Sequence, residues 1–252
     1  PLPLEEILST HKKFSEKEIY DFATAMGFQV VAAGKGKNNP LDREATPTTL
    51  AAEAASKNMN PKMLTAFVDG TKTMVEMAAL ANATSLAPEV RGMHGPVATV
   101  RQLPEIFSLK SQGGILGEQG VVDYAMGSVA PGVFVVVTTG EKAVVEDLQY
   151  LKVGPGPNWV FYRPYHLANL ETPLSAARAV LLGETTIATV NKPVAEAITM
   201  AKKDLKAGEE LDGIGRYTIY GSIEKADISA GERLLPIGLA QGAILKTDVA
   251  KD

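Results

Sequence analysis

Several groups of polar residues stand where this sequence could do chemistry. The first is Gly34-Lys35-Gly36-Lys37-Asn38-Asn39-Pro40-Leu41-Asp42, where the apolar run Val30 to Ala33 stops and two lysines, two asparagines and a carboxylate follow. A strand buried on both faces reads this way, and ligands of open α/β sheets bind where such strands end. Glycine adopts backbone angles that other residues resist, so Gly34 and Gly36 allow a tight turn or a close approach to a ligand. The plainer reading is a strand-to-loop turn with solvated lysines.

The second group lies on one helix predicted from Lys62 to about Asn82. At ~100° per residue, Lys72, Thr73 and Glu76 fall within roughly 60° of Asp69 and form one polar line. Around them stand Phe67, Val68, Met74, Val75 and the run Met77 to Ala81. A helix apolar almost all round is a buried one, and isolated charges on it would each cost several kcal/mol. Either the row serves a reaction, or it is a solvent stripe with Lys72–Glu76 as a surface pair.

Two further clusters are weaker. Arg91-Gly92-Met93-His94-Gly95-Pro96 is a Gly/Pro-punctuated loop in which His94 is either a proton donor or an ordinary loop residue. Trp159 to Leu167 reads as a strand running into Arg163, Tyr165 and His166, a set that could grip an anion or simply end a strand. A helix predicted over Leu174 to Leu182 would point its N-terminus at that set, which favours an anion there.

The elements that must position these groups follow from periodicity. Ile19, Phe22, Ala23 and Met26 predict a helix over 16–26, with Ser15 as N-cap and Gly27 as C-terminal cap. A strand from Phe28 to Ala33 comes next. Thr46-Pro47 opens a helix to about Ser56, because proline at a first helical position loses nothing. Residues 99–112 predict a short helix, 121–126 and 133–139 strands, and Glu141 to Leu151 a helix. In the tail, Leu205-Lys-Ala-Gly208-Glu-Glu-Leu211 aligns with Ile228-Ser-Ala-Gly231-Glu-Arg-Leu234, an internal repeat with short strands such as Tyr217 to Tyr220 between its copies. Gly-turns at that spacing predict a small all-β module from about residue 196.

Composition narrows the classes. The 252 residues are 45% hydrophobic and 21% charged, which suits a folded protein with a substantial core. A net charge of -4 argues against nucleic acid. No apolar run reaches the ~20 residues of a membrane-spanning helix. The absence of cysteine excludes disulfides and thiolate metal sites, three histidines argue against a His-rich zinc site, and a cytoplasmic location is expected.

Taken together, Ala32 to Asp42, Phe67-Val-Asp-Gly-Thr-Lys-Thr-Met-Val-Glu76, Arg91 to Pro96, and Tyr162 to Leu167 with Leu170-Glu-Thr-Pro-Leu174 resemble a known group. It is the homoserine-dehydrogenase-like NAD(P)-dependent oxidoreductases with a C-terminal SAF (β-clip) domain, which includes the reductoisomerase-like enzyme acting on 1-deoxy-D-xylulose 5-phosphate. The Ala-Gly-Glu-x-Leu repeat matches the SAF module.

The resemblance implies an α+β fold, with a mixed sheet and packed helices followed by a small all-β SAF module. It divides the chain into 1–33, a remnant of a Rossmann domain; 34–195, a substrate-binding, catalytic and oligomerising domain; and 196–252, the SAF domain. NAD(P) would be bound mainly by the Rossmann domain whose Gly-rich loop is absent here, with Gly34 and Gly36 at its edge. Lys35, Lys37, Asp69 and Lys72 take the catalytic places, although Asp69 and Lys72 stand three apart where the family pattern has four. Asn38, Asn39, Glu76, His94, Arg163, Tyr165 and His166 would bind a small hydroxy or oxo substrate, phosphorylated or not. A reductoisomerase-like reaction would add a divalent metal on Asp42, Glu44 or Glu76, and a homo-oligomer is expected. The alternatives are a sugar-acid lyase or dehydratase, and a non-catalytic binding and assembly module.

Overall fold

The computed structural model describes residues 15–252. Residues 1–14 of the expected Rossmann remnant lie outside it. In chain order the elements are α1 (Ser15–Ala25), β1 (Gln29–Gly36), α2 (Ala51–Ser56), α3 (Pro61–Val68), α4 (Thr71–Thr84), β2 (Ala87–Pro88), α5 (Leu103–Ile106), β3 (Val121–Ala125), β4 (Val133–Thr138), α6 (Lys142–Tyr150), β5 (Asn158–Arg163), α7 (Ala168–Leu182), β6 (Ala195–Ala201), β7 (Ile219–Lys225) and α8 (Ala226–Glu232). This is the expected α+β class: a mixed five-stranded sheet with helices, and a separate two-stranded antiparallel sheet near the C-terminus.

The chain forms two interleaved compact units. The first takes the described residues up to Asn38, with Ala79–Glu89 and Gly95–Lys192; the second takes Asn39–Ala78, Val90–His94 and Pro193–Asp252.

The first unit is built on the sheet, in the order β2-β3-β1-β4-β5. β1 lies at its centre, parallel to β3 and antiparallel to β4. Continuous apolar strands are what a doubly covered sheet needs, and Val133 to Val137 and Val121 to Ala125 are all buried. One face packs Phe107 flat against Phe134, centroids 5.4 Å apart, among Leu103, Leu116 and Val136. On the other face, Phe22 of α1 and Phe28 meet Phe161 edge-on at 5.8 and 5.3 Å.

The second unit has its own apolar cluster of Ala45, Ala54, Leu64 and Val68. Its sheet pairs β6 with β7 from Ala195↔Lys225 to Ala201↔Ile219. The tail repeat is not a structural repeat. Gly208 turns the chain at φ +86°, whereas Gly231 lies inside α8, a helix that sequence reading did not place.

Some boundaries differ from expectation for identifiable reasons. β1 runs through Gly34 to Gly36 and does not turn there. The strand ending in Arg163 stops short of Tyr165, and α7 begins at Ala168 and continues through Pro173. The predicted helix over 62–82 is two helices. Asp69 caps α3, and Gly70 adopts φ +88°, the left-handed conformation that ends helices.

Candidate functional site

The break at Gly70 removes the geometric basis of the Asp69–Lys72–Glu76 line, since Asp69 does not lie on the helix that carries the other two. Asp69 is fully buried, and its Oδ1 accepts the Thr71 N–H at 2.9 Å. Its Oδ2 stands 2.8 Å from Lys202 Nζ, an ion-pair contact without hydrogen-bond angles. Lys202 is equally enclosed and donates to the carbonyls of Ala45 at 2.6 Å and Arg216 at 3.0 Å. Asp69 is thus the counter-ion of a lysine far along the chain and not of Lys72, a correction to the expected acid–lysine couple. A buried pair with its remaining donors satisfied is a structural lock, because either charge alone would be costly.

Lys72 instead pairs with Glu76 at 2.9 Å, one turn on, with its ammonium 5.0 Å from the Phe67 ring. Thr71 opens α4 by accepting the Gly221 N–H of β7 at 2.8 Å, so helix and strand are fastened at that point of the second unit. The loop bearing His94 is tied there too. Arg91 reaches Glu224 at 2.6 Å and Glu232 at 2.5 Å, and Gly92 N–H donates to Ile223. The paired carboxylates hold Arg91 above its ordinary pKa. His94 itself is half-buried.

Arg163 was expected to grip an anion. The structure gives it carboxylates of its own unit instead, Glu18 at 3.2 Å and Glu171 in a closer contact, and lays it over the Tyr165 ring at 4.6 Å. Glu171 lies in the first turn of α7, so the helix end expected to attract an external anion supplies one itself. Tyr165 is partly exposed and His166 half-buried.

What remains is the carboxyl end of β1. Lys35 and Lys37 are both buried, an unusual state for lysine. Two apart on an extended chain, they project to the same side of the sheet. In register, Lys35 stands beside Tyr124 of β3 and Val133 of β4. Register partners share a face, so a tyrosine joins the lysines there. Sequence reading missed Tyr124; its signal was the alternation of β3, which puts Asp123 and Tyr124 on opposite faces.

Tyr124 also sets the approach of the Gly95 segment, because a Cβ on Gly95 would fall 2.2 Å from its ring. Asp123, buried on the other face, accepts Gly95 N–H at 3.0 Å and fixes the same segment. β1 and β3 are parallel, and Gly36 and Ala125 close their pairing at the same edge. Carboxyl ends of parallel strands are where ligands of such sheets bind.

The glycines of β1 serve this packing and leave no cradle. A Cβ on Gly34 would meet the Asp123 carbonyl oxygen at 1.7 Å, and one on Gly36 the Ala130 nitrogen at 2.3 Å. They do not fit a cofactor-binding loop, because β3 backbone beside Gly34 and the Val129–Ala130 turn beside Gly36 fill the space. Asn38, just beyond the strand, is exposed and Asn39 half-buried.

The expected metal donors do not converge. Asp42 Oδ1 accepts the Glu44 N–H, Glu44 pairs with Lys251, and Glu76 pairs with Lys72. Among the described residues no three His, Asp or Glu side chains gather into a metal site.

A family model described as the catalytic domain of oxidoreductase DRL matches residues 15–172, well over half the chain. The chain belongs to this family. It is therefore an oxidoreductase catalytic domain, and the matched span contains β1, β3 and both buried lysines. No curated protein matches it. Among the described residues no helix is long and apolar enough to cross a membrane.

Proposed function

We propose that the chain is the substrate-binding and proton-handling part of an NAD(P)-dependent oxidoreductase acting on a small hydroxy or oxo compound. The observation that supports this most is the pair of buried lysines beside Tyr124 at the carboxyl edge of β1 and β3. Enclosed lysines are kept where their charge or their proton is used. Lys35, with Tyr124 as its neighbour, passes a proton to or from the substrate's carbonyl oxygen, and Lys37 holds an anionic end of the substrate, such as a phosphate. Asp123 acts through Gly95 as a positioning residue. Asp69 takes no part in the chemistry, since its carboxylate serves Lys202.

The two-electron carrier implied by the resemblance, a nicotinamide, is assigned to none of these residues. The reading concerns only the proton at the substrate oxygen. Steady-state turnover of a full-length protein carrying the nicotinamide-binding domain, with NADPH and a panel of small phosphorylated oxo compounds, tests it, using Lys35→Met, Lys37→Met and Tyr124→Phe. Lys35→Met is expected to lower kcat by about 10²–10⁴ and Tyr124→Phe by about tenfold or more. Lys37→Met should chiefly raise KM. Turnover within a few-fold of wild type for all of them would remove the reading.

A further inference from the structure

One face of β7 carries two arginines of opposite standing. Alternation along the strand puts Tyr220, Ser222 and Glu224 on the same side, and all three are buried. Arg91 lies at the Glu224 end, where Glu224 and Glu232 both hold it. Arg43 lies at the other end, its guanidinium 4.9 Å from the centre of the Tyr220 ring. Half-buried there, it forms no ion pair among the described residues, unlike Arg91. The neighbouring carboxylates have partners of their own: Asp42 accepts the Glu44 N–H, Glu44 pairs with Lys251, and Asp252 accepts the Tyr220 hydroxyl at 2.6 Å.

Between the two ends stands Ser222, only 2% exposed, whose hydroxyl has no hydrogen-bond partner among the described residues. Gly92, fastened to β7 through its N–H on the Ile223 carbonyl, lies beside it at φ +79°. A Cβ on Gly92 would stand 3.2 Å from both Arg43 Nη2 and Ser222 Oγ. The two donors are therefore no more than roughly twice that distance apart, on the side of Gly92 that carries no side chain. A buried hydroxyl and a guanidinium without a carboxylate both call for an acceptor that carries negative charge.

We propose that Arg43 and Ser222 form a phosphoryl-binding subsite on the second unit, for free phosphate or a phosphate ester. Arginine laid on an aromatic ring keeps its fork in one orientation, ready for an oxyanion. A planar carboxylate spends both oxygens on such a fork, whereas a tetrahedral phosphoryl group has a third for the Ser222 hydroxyl. The assignment does not rest on the reading of Lys35 and Lys37, which belong to the first unit.

Calorimetric titration of the full chain at low ionic strength, with inorganic phosphate, with a phosphorylated glycerol and with acetate, tests it. Lys37→Met is the background, because it removes the other cation assigned to an anion. Both phosphates should bind this variant, and acetate about tenfold more weakly or not at all. Adding Arg43→Lys, which keeps a charge over the ring but loses the fork, should weaken phosphate binding about tenfold or more. Adding Ser222→Ala should weaken it a few-fold. Where circular dichroism shows that Arg43→Lys disturbs the fold, Ser222→Ala, which removes one oxygen, carries the test alone. An ester held more tightly than free phosphate supports the subsite with a phosphorylated compound as its ligand, and equal binding supports it with phosphate itself. Failure of phosphate to bind the Lys37→Met protein overturns the subsite and leaves the lysine reading in place. Phosphate affinity unchanged by the added substitutions, or acetate bound as tightly as phosphate, overturns it too.

Discussion

Removing the charge of Asp69 while keeping its shape separates a structural lock from a catalytic acid. An asparagine in its place still presents an oxygen to the Thr71 N–H, so the turn between α3 and α4 survives. What is lost is the counter-ion of Lys202, an ammonium only 3% exposed at its side chain. Two carbonyls still accept from it, but they carry no net charge. Breaking a buried pair from one side costs about 3–5 kcal/mol, because the surviving charge stays desolvated. For a chain of this size each kcal/mol moves Tm by about 2–4 °C, so Asp69→Asn should melt roughly 6–20 °C lower. Lys202→Met should cost about as much, since it strands a fully buried carboxylate and removes the donor to Ala45 and Arg216.

The double variant decides the matter. If the two groups chiefly serve each other, it should recover at least about 1.5 kcal/mol relative to the sum of the single variants. Urea denaturation followed by circular dichroism measures all three. A single variant costing less than about 1 kcal/mol, or additive costs, would refute the lock.

Two other perturbations follow from the geometry. Gly36→Ala drives a methyl group to 2.3 Å from the Ala130 backbone nitrogen, where nothing flexible can yield, and should lower stability by about 3 kcal/mol or more in the same assay. Burial, assisted by the hydrogen bond to Asp252 and opposed by Arg43, pushes the Tyr220 phenol up to about 12. The folded protein therefore holds that proton after the unfolded chain has released its own near pH 10. Stability from this group is complete below pH 10 and is lost between pH 10 and about 12. Tyr220→Phe should flatten that part of the stability–pH curve, and an unchanged slope would show that Tyr220 titrates normally.

The sheet was legible because its strands are built on apolar, β-branched runs. Val133 to Thr138 and Val121 to Ala125 form as read, and α1 and α6 follow their periodicity. The Lys35–Lys37 segment drew notice for the same reason, since charged residues abut a run that only a covered strand explains, and both lysines are buried. The row on the supposed long helix failed on one dipeptide. Asp69-Gly70 is a turn signal, and the apolar periodicity on both sides of it concealed the break. Lys202 carried no local signal at all, being one of two adjacent lysines in the tail whose burial depends on a partner distant in sequence. Arg163 and Tyr124 lie between these cases. Residue type marked the first and strand alternation the second, but only the packed structure shows which carboxylates and which face they meet.

The second unit is drawn from separate stretches of the chain, and that has a consequence for synthesis. Asp69 leaves the ribosome about 130 residues before Lys202 does. At 5–20 residues per second the carboxylate waits roughly seven to twenty-seven seconds for its cation. Until then the turn at Gly70 has no cation for its carboxylate, so this unit can close only once residue 202 has emerged, while β1, β3 and β4 are already available to pair. A nascent chain halted before position 202 would carry an assembled central sheet beside an open, hydrated acid.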